Sequence, residues 1–494
     1  MTVATREAPA RPQAARLGRA ARLIGAATAV SRLLGFARVL VIAAVLGTTD
    51  LGNIFSASNS VSNVLFDLLA AGALSAVLVP AFVELFNRRA PAEAEQLAGA
   101  LLGWSLVVLG PVCLAGVLAA PALAGLLTSG TADPAVAAGQ QDLATFLLRL
   151  FVPQVLLYAV GAVSTAVLHA KRHFTVTAVA PIGNTVVMVV CLLTFRALHG
   201  SGTPGLALGP GERWALGAAG TLGVAAFVGI PAVALWRTGF RLRARVPRPA
   251  AVPGLGSAVR LSGWAGLQHA GTGVLLGAAL LVGMAVSGGV VAYQVAFACF
   301  LVPYAVLALP LITAVLPELA GDAGRDDLSA FGRSLRWALD RMVIVVPVSV
   351  AGVVLAPRVM EMLAFGQTSQ GGGRLIGVAL AGLSAGLLPY GAFLLFVRAH
   401  YALGEGRAPA VVALASAGLG AALMAAGGAL ADGDAKLAVM GGAHSLAYLV
   451  GAVVLGAGLA RRTGQPLISD RLPRTLGLCL AVGAAGAAVL HRVG

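Results

Sequence analysis

The chain has 494 residues, of which 59% are hydrophobic and only 11% are charged. Soluble globular proteins carry about 25% charged residues, and disordered chains have low hydrophobicity, so the composition excludes both classes. The formal net charge of +15 could indicate a nucleic-acid partner, but the basic residues form no single patch or run. The composition therefore predicts an integral protein of the lipid bilayer that binds no nucleic acid.

Thirteen segments are long and apolar enough to span a membrane, since a helix needs about 20 mainly apolar residues to cross it. The connections between them are short and leave no room for a soluble domain. The predicted fold class is an all-α, polytopic membrane protein with about 13 transmembrane helices. The segments are residues 20–47, 53–86, 95–127, 142–169, 174–198, 213–236, 258–286, 289–316, 334–365, 374–400, 408–430, 437–460 and 475–491.

The distribution of arginine and lysine predicts the orientation, because cytoplasmic loops retain basic residues. With the N-terminus inside, 25 of the 34 basic residues flank the cytoplasmic ends of the segments and only six flank the outer ends. Residues 1–19 lack the small-residue cleavage site of a signal peptide and are interpreted as a cytoplasmic basic tail. The C-terminus is expected to lie outside.

Signatures of enzyme chemistry are missing from the sequence. It contains no GxxxxGK[ST], HExxH or GxSxG motif, so neither catalysis nor a cofactor is expected. The cysteines lie far apart in apolar segments, without the spacing of a metal site or a disulfide framework, and are interpreted as packing residues. They are Cys113, Cys191, Cys299 and Cys479.

A faint internal repeat divides the chain into two halves. Leu78–Pro80 matches Val315–Pro317 at an offset of 237 residues, and Phe151–Pro153 matches Leu387–Pro389 at an offset of 236. Two landmarks with one period predict two six-helix lobes in parallel orientation, an architecture of transporters whose substrate site lies between the lobes. The predicted units are an N-lobe (20–236), a cytoplasmic linker (237–257), a C-lobe (258–460) and a loop with one extra helix (461–494).

The first two segments carry the charges that stand out in the apolar sequence. A charge near the bilayer centre costs about 2.5 to 3.5 kcal/mol on insertion scales, yet Arg32 and Arg38 lie in the first segment and Asp67 lies in the second. Asp67 could neutralise one arginine in a dry interior, or the arginines could line a hydrated cavity. The second alternative leaves a net positive charge that favours an anion, and arginine suits phosphate because its planar fork donates two parallel hydrogen bonds.

Polar side chains accompany these charges on one face of the second segment. Ser56, Asn59, Ser60, Asn63 and Asp67 fall within an arc of about 100° on a helix. Lipid cannot solvate such a stripe, so it must face another helix, a partner or a water-filled cavity.

Other polar residues in the apolar segments give weaker signals. Arg149 is expected to extend toward the interface, as long basic side chains do near helix ends. His269 and His444 are more typical of core histidines that a neighbour satisfies. Gln268 occupies the position equivalent to Arg32 at the offset of 236, so the lobes are alike in shape but unlike in charge.

The block Ser31–Arg38, with sequence SRLLGFAR, resembles the MurJ/MviN lipid II flippases of the MOP (multidrug/oligosaccharidyl-lipid/polysaccharide) exporter superfamily. The likeness continues through Gly72–Ser75 and Val79–Pro80 and, less closely, at Val315–Pro317. The resemblance implies a V-shaped, two-lobe transporter in the bacterial inner (plasma) membrane. Such a protein moves a polyprenyl-diphosphate-linked peptidoglycan precursor from the inner to the outer leaflet by alternating access, without ATP.

The resemblance also implies roles for single residues. Arg32 and Arg38 match the family's two cavity arginines in the first helix and inherit the role of diphosphate contacts. By ungapped comparison, uncharged residues occupy four further positions where the family carries charges, namely Asn53, Phe66, Ala71 and Ala298. The predicted substrate-binding residues are Arg32, Arg38, Asn59, Ser60, Asn63, Asp67 and Gln268.

Two alternatives to a flippase follow from the same residues. A multidrug or cation antiporter of the related type would favour acidic cavity residues, so the pair of arginines argues against it. A non-transporting scaffold of the same fold would recruit cell-wall synthesis enzymes as partners, and the uncharged cavity positions are compatible with it. The leading hypothesis has a polyprenyl-diphosphate glycolipid as its partner.

Overall fold

The computed structural model describes residues 33–66, 78–246, 255–363, 365–470 and 472–493, and the predicted tail 1–19 lies outside these ranges. The secondary structure in them is helical, as the sequence predicts, because only an intrahelical network satisfies every backbone amide and carbonyl of a single span in lipid. A π-helical turn (Tyr304–Ala308) and a 3-10 turn (Val343–Val345) each connect two successive α-helices. The helices are α1 (Leu33–Leu46), α2 (Asp50–Phe66), α3 (Val79–Asn87), α4 (Pro91–Leu118), α5 (Ala120–Thr128), α6 (Pro134–Phe151), α7 (Gln154–Ala170), α8 (Phe174–His199), α9 (Pro210–Arg237), α10 (Leu255–Met284), α11 (Gly289–Pro303), α12 (Leu309–Gly324), α13 (Leu328–Met342), α14 (Val346–Met362), α15 (Gln370–Ser384), α16 (Leu387–Ala402), α17 (Arg407–Leu430), α18 (Ala435–Thr463) and α19 (Leu472–Val493).

Each of the thirteen predicted segments coincides with helical residues in the described ranges. In the described ranges, nine spans are long and apolar enough to cross a membrane, six of them single helices and three the continuous pairs α6–α7, α11–α12 and α13–α14. A tenth span results if the bent pair α15 and α16 is taken together. The exact number of thirteen stays a prediction, because α1 and α19 are shorter apolar helices in the described ranges and α2 ends where the description stops.

Helix breaks recur at related places in the two halves. The first break separates α6 from α7 at Val152 and Pro153, and the second bends the chain by 52° between α15 and α16. Both lie at or beside the repeat landmarks Phe151–Pro153 and Leu387–Pro389. Proline explains part of the pattern, because it lacks a backbone N–H and disfavours helical conformation in the residue before it.

Each half of the chain has its own apolar core. Phe55, Phe151 and Phe195 are fully buried in the first half, where the Phe55 and Phe151 rings pack edge to face at 6.2 Å. Phe331 is fully buried in the second. Met284 of α10 belongs to the first core, so the halves also share packing. The last helix, α19, packs against α14 in the second half.

The predicted linker begins as an extended segment that lies on α4. The backbone N–H of Arg245 donates to the carbonyl of Gly99 at 2.9 Å, and the backbone N–H of Arg241 donates to Glu95 Oε1 at 3.0 Å. Residues 247–254 of the predicted linker lie outside the described ranges, and its last three residues, 255–257, belong to α10. The lobe boundaries at 236 and 258 therefore stay a prediction.

Candidate functional site

Arg38 lies inside the first half, on α1. Its side chain is half-buried, and its Nε is shielded from solvent with no hydrogen-bond partner among the described residues. The guanidinium is close enough to the Tyr158 hydroxyl of α7 to interact with it electrostatically. A buried donor without an acceptor is costly, so Arg38 Nε requires an acceptor beyond the described residues, and an anion or water would meet that requirement.

Three helices of the first half meet through polar side chains next to Arg38. The Tyr158 hydroxyl donates to Asn63 Oδ1 of α2 at 3.3 Å. Below this pair, Ser62 Oγ donates to the carbonyl of Phe151 at 2.7 Å, where α6 ends. The Tyr158 ring packs edge to face on Phe227 of α9 at 6.3 Å, which fixes its direction. We call Arg38, Asn63 and Tyr158 the polar cluster.

A second polar region joins the two halves, and we call it the seam. Its centre is Asn53 of α2, which is fully buried. Asn53 Nδ2 donates to the carbonyl of Val286 at 2.7 Å, and Asn53 Oδ1 accepts the backbone N–H of Val290 at 2.9 Å. Val290 is in the first turn of α11, so the first half caps a helix of the second half. Gly288 makes the tight turn before α11 with φ of +75°.

The polar stripe of α2 continues the seam. Gln294 Nε2 of α11 donates to Ser60 Oγ at 2.9 Å and to the carbonyl of Ser56 at 3.5 Å. The Ser60 hydroxyl in turn donates to the same Ser56 carbonyl at 2.8 Å. The stripe is therefore divided: Ser56 and Ser60 contact the second half, whereas Asn63 belongs to the polar cluster.

The end of α1 is also attached to the second half. The backbone N–H of Gln367 donates to the carbonyl of Ala44 at 2.8 Å, and Thr368 Oγ1 donates to the carbonyl of Ala43 at 3.0 Å. These carbonyls belong to the last turn of α1, where intrahelical donors run out, although the Ala43 carbonyl also accepts the backbone N–H of Gly47 at 3.0 Å. The loop before α15 thus satisfies them, and the seam closes around the α1–α2 turn.

The structure places the predicted site residues unequally. Arg32 and Asp67 lie outside the described residues, as do Ala71 and the Gly72–Ser75 block of the resemblance. Asn59 is half-buried on α2. Gln268 lies on α10, where the Tyr401 hydroxyl of α16 donates to its Oε1. This pairing lies within the second half, and substrate binding by all seven predicted residues stays a prediction.

Tyr158 and Gln294 are the main residues that the sequence reasoning missed. Each is a single polar side chain in an apolar helix and carries no periodic signal. A weak signal existed for Tyr158, because the chain has only six tyrosines. Gln154, one turn before Tyr158, is also almost fully buried; its Nε2 donates to Thr221 Oγ1 of α9 at 3.1 Å, which ties α7 to α9.

Other polar residues in the helices are either paired inside the core or exposed at a helix end. Tyr293 and His444 hydrogen-bond each other in the core of the second half, which agrees with a core histidine. Arg149 is exposed in the last turn of α6, as expected for a side chain that extends toward the interface. All four cysteines are free. In the described ranges, no three His, Cys, Asp or Glu side chains form a group that could hold a metal.

The protein is helical, and each of its halves has an apolar core. A polar seam joins the halves, and a cation lies inside one of them. This is the organisation of a membrane transporter. Residues 42–494 match the family of the lipid II flippase MurJ. The chain therefore belongs to this family, and the resemblance seen in the sequence is confirmed. Together with the apolar helices, this membership makes it a multi-pass protein of the inner membrane.

Two relatives illustrate the similarity in sequence. A probable lipid II flippase MurJ from Rhizobium tropici is 28% identical over 303 residues, which cover 60% of this chain and 54% of that protein. A probable lipid II flippase MurJ from Rhizobium meliloti (strain 1021) is 26% identical over 397 residues, covering 79% of this chain and 71% of the relative. The chain thus aligns with about half the length of the Rhizobium tropici relative.

Solved structures support the fold. A lipid II flippase MurJ in the inward closed conformation superposes with a TM-score of 0.71 at 15% identity, covering 95% of this chain and 99% of that one. An inward-facing multidrug resistance MATE family transporter of the MOP superfamily superposes with a TM-score of 0.67 at 13% identity, covering 88% and 94%. The predicted all-α, polytopic membrane fold is confirmed.

Proposed function

We propose that this protein moves a polyprenyl-diphosphate-linked cell-wall precursor, similar to lipid II, from the inner to the outer leaflet of the membrane. The name of the family and of the relatives supports the reaction. The observation that carries the proposal for this chain is Arg38, a cation inside the first half whose Nε has no partner among the described residues.

The chemistry of Arg38 fits a diphosphate. Its guanidinium stays protonated when partly desolvated and can donate two parallel hydrogen bonds to phosphate oxygens. These charge-assisted bonds would satisfy the buried Nε. In the proposal, Arg32 adds a second guanidinium and Asp67 pairs with one arginine in the unloaded state.

The neighbours of Arg38 fit the sugar part of a glycolipid. In the Asn63–Tyr158 pair, the Asn63 amide N–H₂ can donate hydrogen bonds and the Tyr158 hydroxyl oxygen can accept one. Asn59 lies one turn before Asn63 on the same helix and is half-buried. We assign these side chains to the sugar hydroxyls. Ser60 and Gln268 were expected to assist them, but each already has a protein partner.

Alternating access follows from the seam in this proposal. The α1–α2 turn lies on the outer side if the N-terminus is cytoplasmic, so the seam would close the outer end while substrate enters from the inner leaflet. Opening would break the bonds of Asn53 and Gln294 and expose the polar cluster to the other side. The basic flanks of the predicted segments support this orientation, with the C-terminus outside.

The proposal is tested by replacing Arg38 in cells depleted of their own lipid II flippase. Arg38→Ala should reach the membrane in normal amount but fail to restore growth and outer-leaflet lipid II. Arg38→Lys keeps the charge and loses the planar fork, so partial function is expected. Arg374→Ala is the matched control, because Arg374 is 62% exposed and pairs with Asp434 at 3.1 Å. Full rescue by Arg38→Ala would overturn the proposal.

The same experiment separates the two alternatives. A scaffold that recruits cell-wall synthesis enzymes would restore their assembly with either Arg38 variant and would give no flipping even with the unmodified chain. A cation antiporter would need an acidic interior, whereas the polar cluster contains a cation. Export of a cationic drug by the unmodified chain, without lipid II flipping, would favour the antiporter.

A further inference from the structure

A groove opens on the surface of the first half, away from the seam and the polar cluster. It lies between the start of α8 and the last turns of α9, and its volume is about 620 Å³. Pockets of about 300–1,000 Å³ are typical of small-molecule sites. Most of its lining is apolar and includes Val176, Ile230 and Val233. Because Val186 and Val190 of α8 are more than half exposed, this face of the bundle contacts lipid.

The surroundings of Gly229 show that the groove is open space and that side chains of the two helices do not fill it. A Cβ at Gly229 would meet no atom within 4 Å, although the glycine is in the middle of a helix and lines the groove. About two turns after Val176 on the facing helix, packing is close: a Cβ at Gly183 of α8 would collide with Ile230. The two helices therefore separate toward one end, and an apolar chain fits between them.

The end of the groove has the features of a membrane interface. Trp236 is 69% exposed next to the rim, and tryptophan is enriched at the level of lipid headgroups. Arg237 and His173 form the basic side of the rim. No carboxylate in the part of the chain that the structure describes is within 4 Å of either side chain. Arg237 thus offers a positive charge that has no carboxylate partner among the described residues, next to the exposed Trp236.

Lys171 holds the end of α9 beside the rim, and its ammonium group already has protein partners. Its Nζ donates to Thr238 Oγ1 at 3.1 Å and lies over the rings of Phe86 and Phe240, at 5.4 Å and 5.0 Å from their centroids. Burial lowers the pKa of the Lys171 ammonium, and the Glu95 carboxylate offsets part of that shift. Thr238 also donates to the carbonyl of Leu235 at 2.7 Å, which holds the end of α9 in place beside Arg237.

We propose that this groove binds an anionic phospholipid of the adjacent leaflet, with one acyl chain between α8 and α9 and the phosphate against Arg237. Shape supports the acyl chain, because the apolar lining continues the lipid-facing surface. Charge supports the anionic headgroup, because Arg237 lies next to Trp236 and has no carboxylate partner within the described part of the chain. The site is separate from the polar cluster and does not depend on the flippase reaction.

The test measures lipid retention by native mass spectrometry of the delipidated protein, titrated with dioleoyl-phosphatidylglycerol or dioleoyl-phosphatidylcholine. Gly229→Leu adds a bulky side chain to the groove lining, at a position where a Cβ meets no atom within 4 Å, and should reduce retention of phosphatidylglycerol at least tenfold. Gly418→Leu is the matched control, because a Cβ at Gly418 of α17 also meets nothing within 4 Å. It should retain lipid like the parent.

A second pair of variants tests the headgroup. Arg237→Gln should lower the preference for phosphatidylglycerol over phosphatidylcholine about fivefold, as expected for one basic residue at an anionic surface. Arg407→Gln at the start of α17 should leave it unchanged. Equal retention by Gly229→Leu and the parent would overturn the proposal. Displacement of phosphatidylglycerol by undecaprenyl diphosphate in a Gly229-dependent manner would overturn it too, because the groove would then hold an isoprenoid chain.

Discussion

Replacement of Asn53 by alanine should weaken the seam more than any other single substitution in it. Asn53 is fully buried and holds the second half through two hydrogen bonds, to the Val286 carbonyl and from the Val290 N–H. The Val286 carbonyl keeps a second donor, the backbone N–H of Gly289 at 2.9 Å. The Val290 N–H loses its acceptor with the Asn53 side chain. No carbonyl of its own helix replaces that acceptor, because Val290 lies in the first turn of α11.

The two losses have different magnitudes. A buried donor left without an acceptor costs about 1–3 kcal/mol, and the bond to Val286 contributes a further ~1 kcal/mol. In an open seam, water can satisfy Val290, so Asn53→Ala penalises the closed arrangement alone. The expected shift toward opening is about 2–4 kcal/mol, which corresponds to roughly 30- to 700-fold in the equilibrium constant.

Cysteine labelling in lipid nanodiscs measures this opening. Ser56→Cys is a suitable reporter in a variant without the four native cysteines, because Ser56 is 2% exposed and lies one turn from Asn53. A water-soluble maleimide should label it 30 to 700 times faster after Asn53→Ala, within the range worked out above. Asn184→Ala is the matched control, since the Asn184 Oδ1 on α8 has no partner among the described residues.

The reasoning is refuted if Asn53→Ala and Asn184→Ala give the same labelling rate while both proteins remain folded. That result would mean that the Asn53 bonds add nothing to the closed state. A faster rate in both variants would point to general loosening of the first half instead of the seam.

Three further predictions concern the seam and the core. Gln294→Met removes the bond to Ser60 at nearly constant shape, so labelling at the seam should rise only about 2- to 12-fold, which corresponds to the net worth of about 0.5–1.5 kcal/mol of one hydrogen bond. Gly288→Ala places a side chain at φ of +75°, and we expect a loss of roughly 1 kcal/mol or more in the free energy of unfolding, measured by denaturant titration. Phe151→Ala should lower the same free energy by about 3 kcal/mol, near the lower end of values for buried phenylalanine because the unfolded chain remains in an apolar medium. Leu118→Ala, at a position that is 72% exposed to lipid, should leave it almost unchanged.

The sequence predicts the helices well because one physical requirement decides them. A span in lipid must be apolar and must satisfy its own backbone, so hydropathy locates the membrane-spanning helices of the described ranges. It does not locate breaks such as the one after α4 at Ala119. The chain on either side of Ala119 is equally apolar, so composition carries no signal there.

The site is less predictable because its partners are distant in the chain. The stripe on α2 predicts that some polar partner exists, since lipid cannot solvate it. It does not identify Gln294, which is 234 residues away from Ser60 and alone in an apolar helix. Tyr158 is missed for the same reason: it meets Asn63 only after α2 and α7 pack together.

The repeat explains why α2 and α11 form the seam. Residues related by an axis along the membrane normal contact each other only near that axis, and Asn53 bonds a residue 237 positions later. At the same offset, the residues equivalent to Arg38, Asn63 and Tyr158 are apolar and buried, namely Leu275, Phe300 and Leu395.

The polar cluster therefore belongs to one half, and this constrains the proposed cycle. A ligand held by Arg38 need not be handed from one lobe to the other when the seam opens. We propose that α1, α2 and α7 move as one unit, so that release comes from a change in what faces Arg38. In the proposed cycle, the second half acts mainly as the surface that closes over the ligand or exposes it.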